Sequence, residues 1–260
     1  MKVLNAEHIS MIFGGLVAVN DVSIYAEQGE LLGLIGPNGA GKTTIFNMLT
    51  GVYVPTHGKI SFENARNNQL TIKKDKPYKV ARFGISRTFQ NIRLFKELTV
   101  LDNMLVSMHK NIGYSIFGAI FRSNNFLRTE RENHESAIKI LQATGLEAKK
   151  DELASNLPYG EQRKLEIARA IATGAEIVFL DEPAAGMNPA ETAELAVLIK
   201  KLKEEYRLTV VLIEHDMRFV MNLCERIYVL DFGVLIAEGT PQEIKNDPKV
   251  ITAYLGEELQ

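Results

Sequence analysis

Residues 36–43 read Gly-Pro-Asn-Gly-Ala-Gly-Lys-Thr, which satisfies the pattern G-x-x-x-x-G-K-[ST]. The chemistry of that spacing is phosphate binding. Glycines at 36, 39 and 41 let the main chain wrap closely around phosphate oxygens, and the amides of a following helix N-terminus add partial positive charge. Lys42 then neutralises the β and γ phosphates of a nucleoside triphosphate, and the Thr43 hydroxyl is the expected Mg2+ ligand. Pro37, Asn38, Ala40 and Thr44 complete the stretch expected to line the phosphates.

Residues 177–182 read IVFLDE, an apolar strand that delivers two carboxylates to the carboxyl edge of a sheet, where open α/β folds bind ligands. Asp181 is the expected Mg2+ residue, acting through the water shell, and Glu182 the general base. Neighbouring side chains on a strand point to opposite faces, so the two acids serve their different roles only if the chain turns there; Pro183 ends the strand. His215 follows TVVLIE and reaches the same edge; on spacing alone a lone histidine is more often structural or solvated. Gln90, in RTFQN, is a neutral amide that spacing alone leaves without a role.

These groups need elements to hold them. Residues 31–35 are apolar and end in the glycine turn, and residues 42–50 place Ile45, Met48 and Leu49 on one helical side, so strand, loop and helix follow in order. Residues 177–180 and 209–213 are short continuous apolar runs, as strands buried on both faces of a parallel sheet would be. Between them Asn188, Pro189 and Glu191 predict an N-cap, a first-turn proline and a capping-box partner for a helix with Leu195, Leu198, Ile199 and Leu202 inward. Two further strands, 226–230 and 234–237, flank the turn Asp231, Phe232, Gly233. Residues 91–158 read instead as helical: 99–110 forms one helix, and a capping box of Thr129 and Glu132 opens another that ends at Gly145.

The chain has 260 residues, 46% hydrophobic and 24% charged, with a formal charge of -2. That composition excludes a disordered, collagenous or coiled-coil chain, and the balanced charge gives no global basic field for nucleic acid. The single cysteine, Cys224, excludes an internal disulfide and a cysteine metal cluster. The segment MKVLNAEHIS lacks the apolar core of a signal peptide, so the cytoplasm is the expected compartment. The apolar stretch 111–121 (NIGYSIFGAIF) is about half of the roughly 20 residues a spanning helix needs.

GPNGAGKTT, RTFQN, LPYGEQRKLEIARAIA, IVFLDEP and IEHD occur in the order found in ATP-binding cassette ATPases, and the resemblance covers nearly the whole chain. GISRTFQNIRLF, LDEPAAGMNP, IEHDM, IAEGTPQEI and AYLGE resemble the ATP-binding subunit of a branched-chain amino acid importer in particular; importers of urea and short amides resemble it too. The resemblance implies a P-loop NTPase (RecA-like) α/β core of about 1–90 and 160–260 with an antiparallel β subdomain, and an inserted α-helical subdomain of about 91–159. ATP and Mg2+ are the implied ligands. Phe13 matches the aromatic that stacks on adenine, a plain core phenylalanine being the other reading. Gln90 matches the glutamine that senses Mg2+ and attacking water, Asp181 and Glu182 the metal-associated acid and catalytic base, and His215 the switch histidine at the γ-phosphate.

The family's signature segment is L-S-G-G-Q; here Leu157, Pro158, Tyr159, Gly160 and Glu161 stand in its place. Proline removes a hydroxyl and a backbone N–H, and Glu161 brings negative charge, so the expected phosphate contact falls to the amides of Tyr159 and Gly160 and to the helix dipole. Asn188 likewise stands where the family usually has aspartate, which leaves open whether the two composite sites of a dimer are equally active. The implied partners are a second cassette subunit, the same or different, transmembrane permease subunits and, indirectly, an extracytoplasmic solute-binding protein, with no nucleic acid. The implied location is the cytoplasmic face of the inner membrane, with the stretch 111–121 either a docking face or local core. The rival readings are a urea, amide or other transporter ATPase, a non-hydrolysing regulatory subunit and a soluble non-transport cassette.

Overall fold

The computed structural model describes residues 1–72, 77–109 and 121–255. Of the stretch 111–121 only Phe121 is described; the rest, Lys110 and the last residues of the AYLGE segment lie outside the described residues. Two compact units divide the chain: Met1–Gln90 with Glu176–Gln260, and Asn91–Ala175.

In chain order the first unit holds β1 (Lys2–Phe13), β2 (Leu16–Glu27), β3 (Leu31–Ile35), α1 (Lys42–Leu49), β4 (His57–Glu63), β5 (Gln69–Thr71), α2 (Pro77–Phe83) and β6 (Ile85–Arg87). The second unit contributes α3 (Val100–Met108), α4 (Asn124–Thr144) and α5 (Tyr159–Ala172). The first unit then resumes with β7 (Ile177–Asp181), α6 (Pro189–Tyr206), β8 (Thr209–Ile213), α7 (Met217–Leu223), β9 (Arg226–Asp231), β10 (Val234–Gly239), α8 (Pro241–Asn246) and α9 (Pro248–Leu255).

Six strands form one sheet in the order β10-β9-β3-β8-β7-β6, parallel except for the β9–β10 hairpin. Every residue of β3, β7 and β8 is buried, which is why these segments read as unbroken apolar runs. Register pairs Leu34 with Ile213 and Ile213 with Asp181, so the three strands end side by side. That shared edge positions the site. Helix α1 is fixed against β7 by Phe46, which meets Phe179 edge to face with centroids 5.1 Å apart; full burial of Phe46 contributes roughly 1.5–3 kcal/mol. The second sheet is antiparallel, β2-β1-β4-β5, and shares a core with the first through Leu4, Ile9 and Phe62.

Helix α6 carries the expected cap. The Asn188 side chain accepts from the amides of Ala190 and Glu191 at 2.9 and 3.0 Å, Glu191 answers on the Asn188 amide at 2.9 Å, and Pro189 occupies the first turn.

In the second unit α3, α4 and α5 pack on one another around Met104, Leu141 and Leu165. The wholly buried Asn103 accepts from the Phe95 amide at 3.0 Å and donates to the carbonyls of Phe95 and Thr99, both at 2.9 Å, pinning the segment that enters α3. One expected helix start is corrected. Helix α4 begins at Asn124, capped by the Ser123 hydroxyl on the Phe126 amide, and Thr129 lies within it. Ser123 supplies the capping chemistry earlier in the chain, and Glu132 faces Arg128 one turn back at 3.8 Å. The unit also runs on to Ala175 and so takes all of α5, past the boundary near residue 159, because α5 packs on α3 and α4.

Candidate functional site

Between β3 and α1 the chain turns through Gly36 and Gly41 at φ 152° and 96°. Space as well as conformation excludes side chains here. A Cβ at Gly36 would lie 2.1 Å from the Leu230 carbonyl oxygen, and one at Gly41 2.7 Å from that of Ala18. The Gly233 amide in the β9–β10 turn donates to the Ala40 carbonyl at 3.0 Å and steadies the loop. Gly41 caps α1 with no side-chain bond, and the first turn of α1 holds no acid, so the dipole there is left uncancelled by the chain. Lys42 is buried and donates from Nζ to the carbonyls of Gly36 and Pro37 at 2.6 and 2.8 Å. Asn38, Gly39 and Thr43 are exposed, Pro37 and Ala40 are buried, and Thr44 is half-buried. The loop thus has a buried wall against the sheet and an open rim.

The two acids sit in different surroundings. Asp181, the last residue of β7, is buried; its Oδ2 accepts from Arg87 Nη2 at 2.6 Å, and its amide donates to the Thr88 hydroxyl at 3.2 Å. Glu182 adopts φ 46°, in the left-handed region, with its amide donating to the Ile213 carbonyl at 2.9 Å. A non-glycine residue held there costs of order 1–3 kcal/mol, which surrounding contacts must offset. The turn breaks strand alternation at the point between the two acids.

Gln90 is exposed and donates from Nε2 to Glu182 Oε2 at 3.0 Å. His215, two residues beyond β8, is exposed, with Nδ1 3.7 Å from Glu214 Oε2. The phosphate loop, Asp181, Glu182 and His215 therefore follow the adjoining strands β3, β7 and β8, and Gln90 joins them through Glu182. Phe13 stands apart, at the end of β1 in the second sheet: the residue is 43% exposed, which decides against a plain core phenylalanine, and its ring meets that of Tyr53 edge to face at 5.5 Å.

Tyr159 and Gly160 open α5 in the second unit, with Pro158 as N-cap and no side-chain cap bond. The Tyr159 hydroxyl accepts from Arg163 Nη2 at 3.1 Å, and Arg163, fully buried, is paired with Glu166 at 3.0 Å. The charge of Glu161 is matched inside the unit: Lys149 Nζ lies 2.8 and 2.6 Å from its two carboxylate oxygens. The same hydrogen bond holds the Lys149 ammonium above the usual lysine range, with burial opposing it.

Arg87 is a residue that the motifs do not announce. Its guanidinium binds Asn47 Oδ1 at 2.6 Å and the Thr50 hydroxyl at 3.2 Å, lies 5.1 and 5.3 Å from the Phe46 and Phe89 ring centroids, and pairs with Asp181. It thereby joins β6 and α1 to Asp181. Only its place beside RTFQN hinted at a role.

The donors fit a nucleotide with Mg2+. Among the described residues no cluster of three His, Cys, Asp or Glu forms a cation cage. The expected donors, the Thr43 hydroxyl, the Gln90 amide and the Asp181 carboxylate, are a sparse set of the kind that suits Mg2+ completed by phosphate oxygens and water.

Residues 19–185 match the ABC transporter family model, and residues 234–259 match that of the branched-chain amino acid ATP-binding cassette transporter. The chain is 48% identical, over 96% of both sequences, to the high-affinity branched-chain amino acid transport ATP-binding protein LivG of Salmonella typhimurium. It superposes with a TM-score of 0.84 and 34% identity on the ADP conformation of MJ1267, an ATP-binding cassette of an ABC transporter, over 99% of this chain and 100% of that one. It also superposes with a TM-score of 0.73 and 26% identity on the dimeric structure of MJ0796, a bacterial ABC transporter cassette, over 92% and 98%. With a P-loop NTPase fold, an ordered set of nucleotide motifs and these likenesses, the chain belongs to the ABC transporter family.

Proposed function

We propose that this chain binds and hydrolyses ATP as the cassette subunit of a branched-chain amino acid importer, with Mg2+ as the accompanying ion. The observation that carries the hydrolytic reading is the divergence of Asp181 and Glu182 at the edge beside the phosphate loop. The transport reading is supported by the 48% identity to LivG and by the match of residues 234–259.

The loop amides and Lys42 receive the β and γ phosphates, so Lys42 exchanges its bonds to Gly36 and Pro37 for phosphate oxygens. Thr43, Asp181 and Gln90 are the residues that would hold Mg2+, and Phe13 offers a ring face to the base. Mg2+, when bound, supplies neutralisation of charge on the β and γ oxygens. Glu182 accepts the proton of the attacking water, and Gln90, already bonded to it, orients that water. His215 donates to the γ-phosphate.

A second cassette supplies the opening of its α5, with the amides of Tyr159 and Gly160, to the γ-phosphate; the dimeric MJ0796 structure supports that pairing. No helix among the described residues is long and apolar enough to cross a membrane, so the solute path belongs to permease subunits on whose cytoplasmic side this chain sits, fed by a solute-binding protein.

Purification of the tagged chain from membranes in mild detergent tests the reading. The expected result is co-purification of polytopic subunits whose reconstituted vesicles accumulate leucine only with ATP. An isolated chain with no membrane partner, or vesicles that ignore branched-chain amino acids, contradicts it.

A further inference from the structure

Glu214 is buried at 1% exposure immediately before His215, and it uses its two oxygens on two different loops. Oε1 accepts from the Ala184 amide at 2.8 Å, in the loop that follows Glu182; Oε2 accepts from the His215 amide at 3.1 Å. Burial pushes its carboxyl above the ordinary carboxylate range, while the amides of Ala184, His215 and Asp216 pull it down. A buried carboxylate is costly unless its oxygens are satisfied, and here backbone amides from both loops satisfy them.

The Ala184 tether sits one residue beyond Pro183, and the Glu182 amide is tied to Ile213 at 2.9 Å on the other side of it. The left-handed Glu182 is therefore clamped before and after Pro183 by the segment 213–214. Such a conformation persists only where its surroundings over-determine it.

We propose that Glu214 is a positioning residue for ATP cleavage: it fixes the Glu182 loop and the His215 backbone to one another through a single carboxylate. The inference rests on the ATPase reading above. It predicts that Glu214 governs the chemical step and not nucleotide capture, because it faces the two loops and neither the phosphate loop nor Phe13.

The test replaces Glu214→Gln, which keeps the shape but sets an amide donor against one of the two N–H groups, and Glu214→Asp, which keeps the charge and shortens the reach by about 1.5 Å. Steady-state ATPase is measured on the full chain, with Mg-ATP retention read separately in the Glu182→Gln background by equilibrium dialysis. The expected result is a kcat lower by about tenfold or more in each variant, with KM and retention within about twofold of the parent. Unchanged kcat in either soluble variant overturns the proposal. Loss of retention in step with kcat also overturns it, by reducing Glu214 to a general structural support. If Glu214→Gln does not fold, Glu214→Asp alone decides by the same split. Failure of the Glu182→Gln parent to retain Mg-ATP would instead refute the ATPase reading, so the two failures are distinguishable.

Discussion

Helices α1 and α5, one in each unit, both begin without a side-chain cap, yet they offer an anion very different surroundings. Ahead of α1 the chain wraps through Gly36 and Gly41, buries Lys42 against its own carbonyls and ends beside two diverging acids. Ahead of α5 stands Pro158, and the first turn contains Glu161, whose charge Lys149 cancels. A helix N-terminus is a phosphate site to the extent that fixed charge around it agrees with the dipole. The first unit achieves that with a cation of its own; the second has no cation at its helix start beyond the one that matches Glu161.

The largest expected effect falls on the chemistry of the first unit. Glu182→Gln lowers kcat by about 10²- to 10⁴-fold in a phosphate-release assay, since the amide cannot take the proton of water. Next comes Arg87→Met, which strands the buried Asp181 carboxylate and destabilises the fold by about 3–5 kcal/mol in urea unfolding. Adding Asp181→Leu returns much of that stability if the cost is the unpaired charge.

The two helix starts then separate on the same substitution. Gly41→Ala places a Cβ 2.7 Å from the Ala18 oxygen at φ 96° and costs about 1–3 kcal/mol. Gly160 has no positive φ and lies within a helix, so Gly160→Ala stabilises by up to about 0.5–1 kcal/mol. The smallest effect is that of Lys149→Met, which uncovers Glu161: the KM for ATP of the assembled ATPase rises while the melting temperature of the chain stays put. Equal changes at Gly41 and Gly160 would erase the contrast between α1 and α5.

The phosphate loop was legible because its residues are contiguous and each does its work through main chain or a single cation. Strands β3, β7 and β8 were legible because burial on both faces keeps them apolar except at an end, where β7 closes on Asp181 and β8 opens on Thr209. The cap of α6 was legible because Asn188, Pro189 and Glu191 act within one turn. Strand β1 was not: its pairing with β2 shifts register repeatedly, with His8 and Asp21 at positive φ, so the period-2 pattern is broken. The α4 start was misplaced because Ser123 and Thr129 carry the same capping chemistry and only packing chooses between them. Arg87 and Glu214 stayed hidden because what they bind lies far along the chain, at Asp181 and Ala184, and no local spacing announces it.

Equilibrium dialysis of Mg-ATP against the full-length Glu182→Gln chain tests the central claim most directly. The account predicts one ATP retained per chain, uncleaved, displaced by ADP and lost when Lys42→Ala is added. A Glu182→Gln chain that retains no Mg-ATP, or retains it equally well without Lys42, would contradict it.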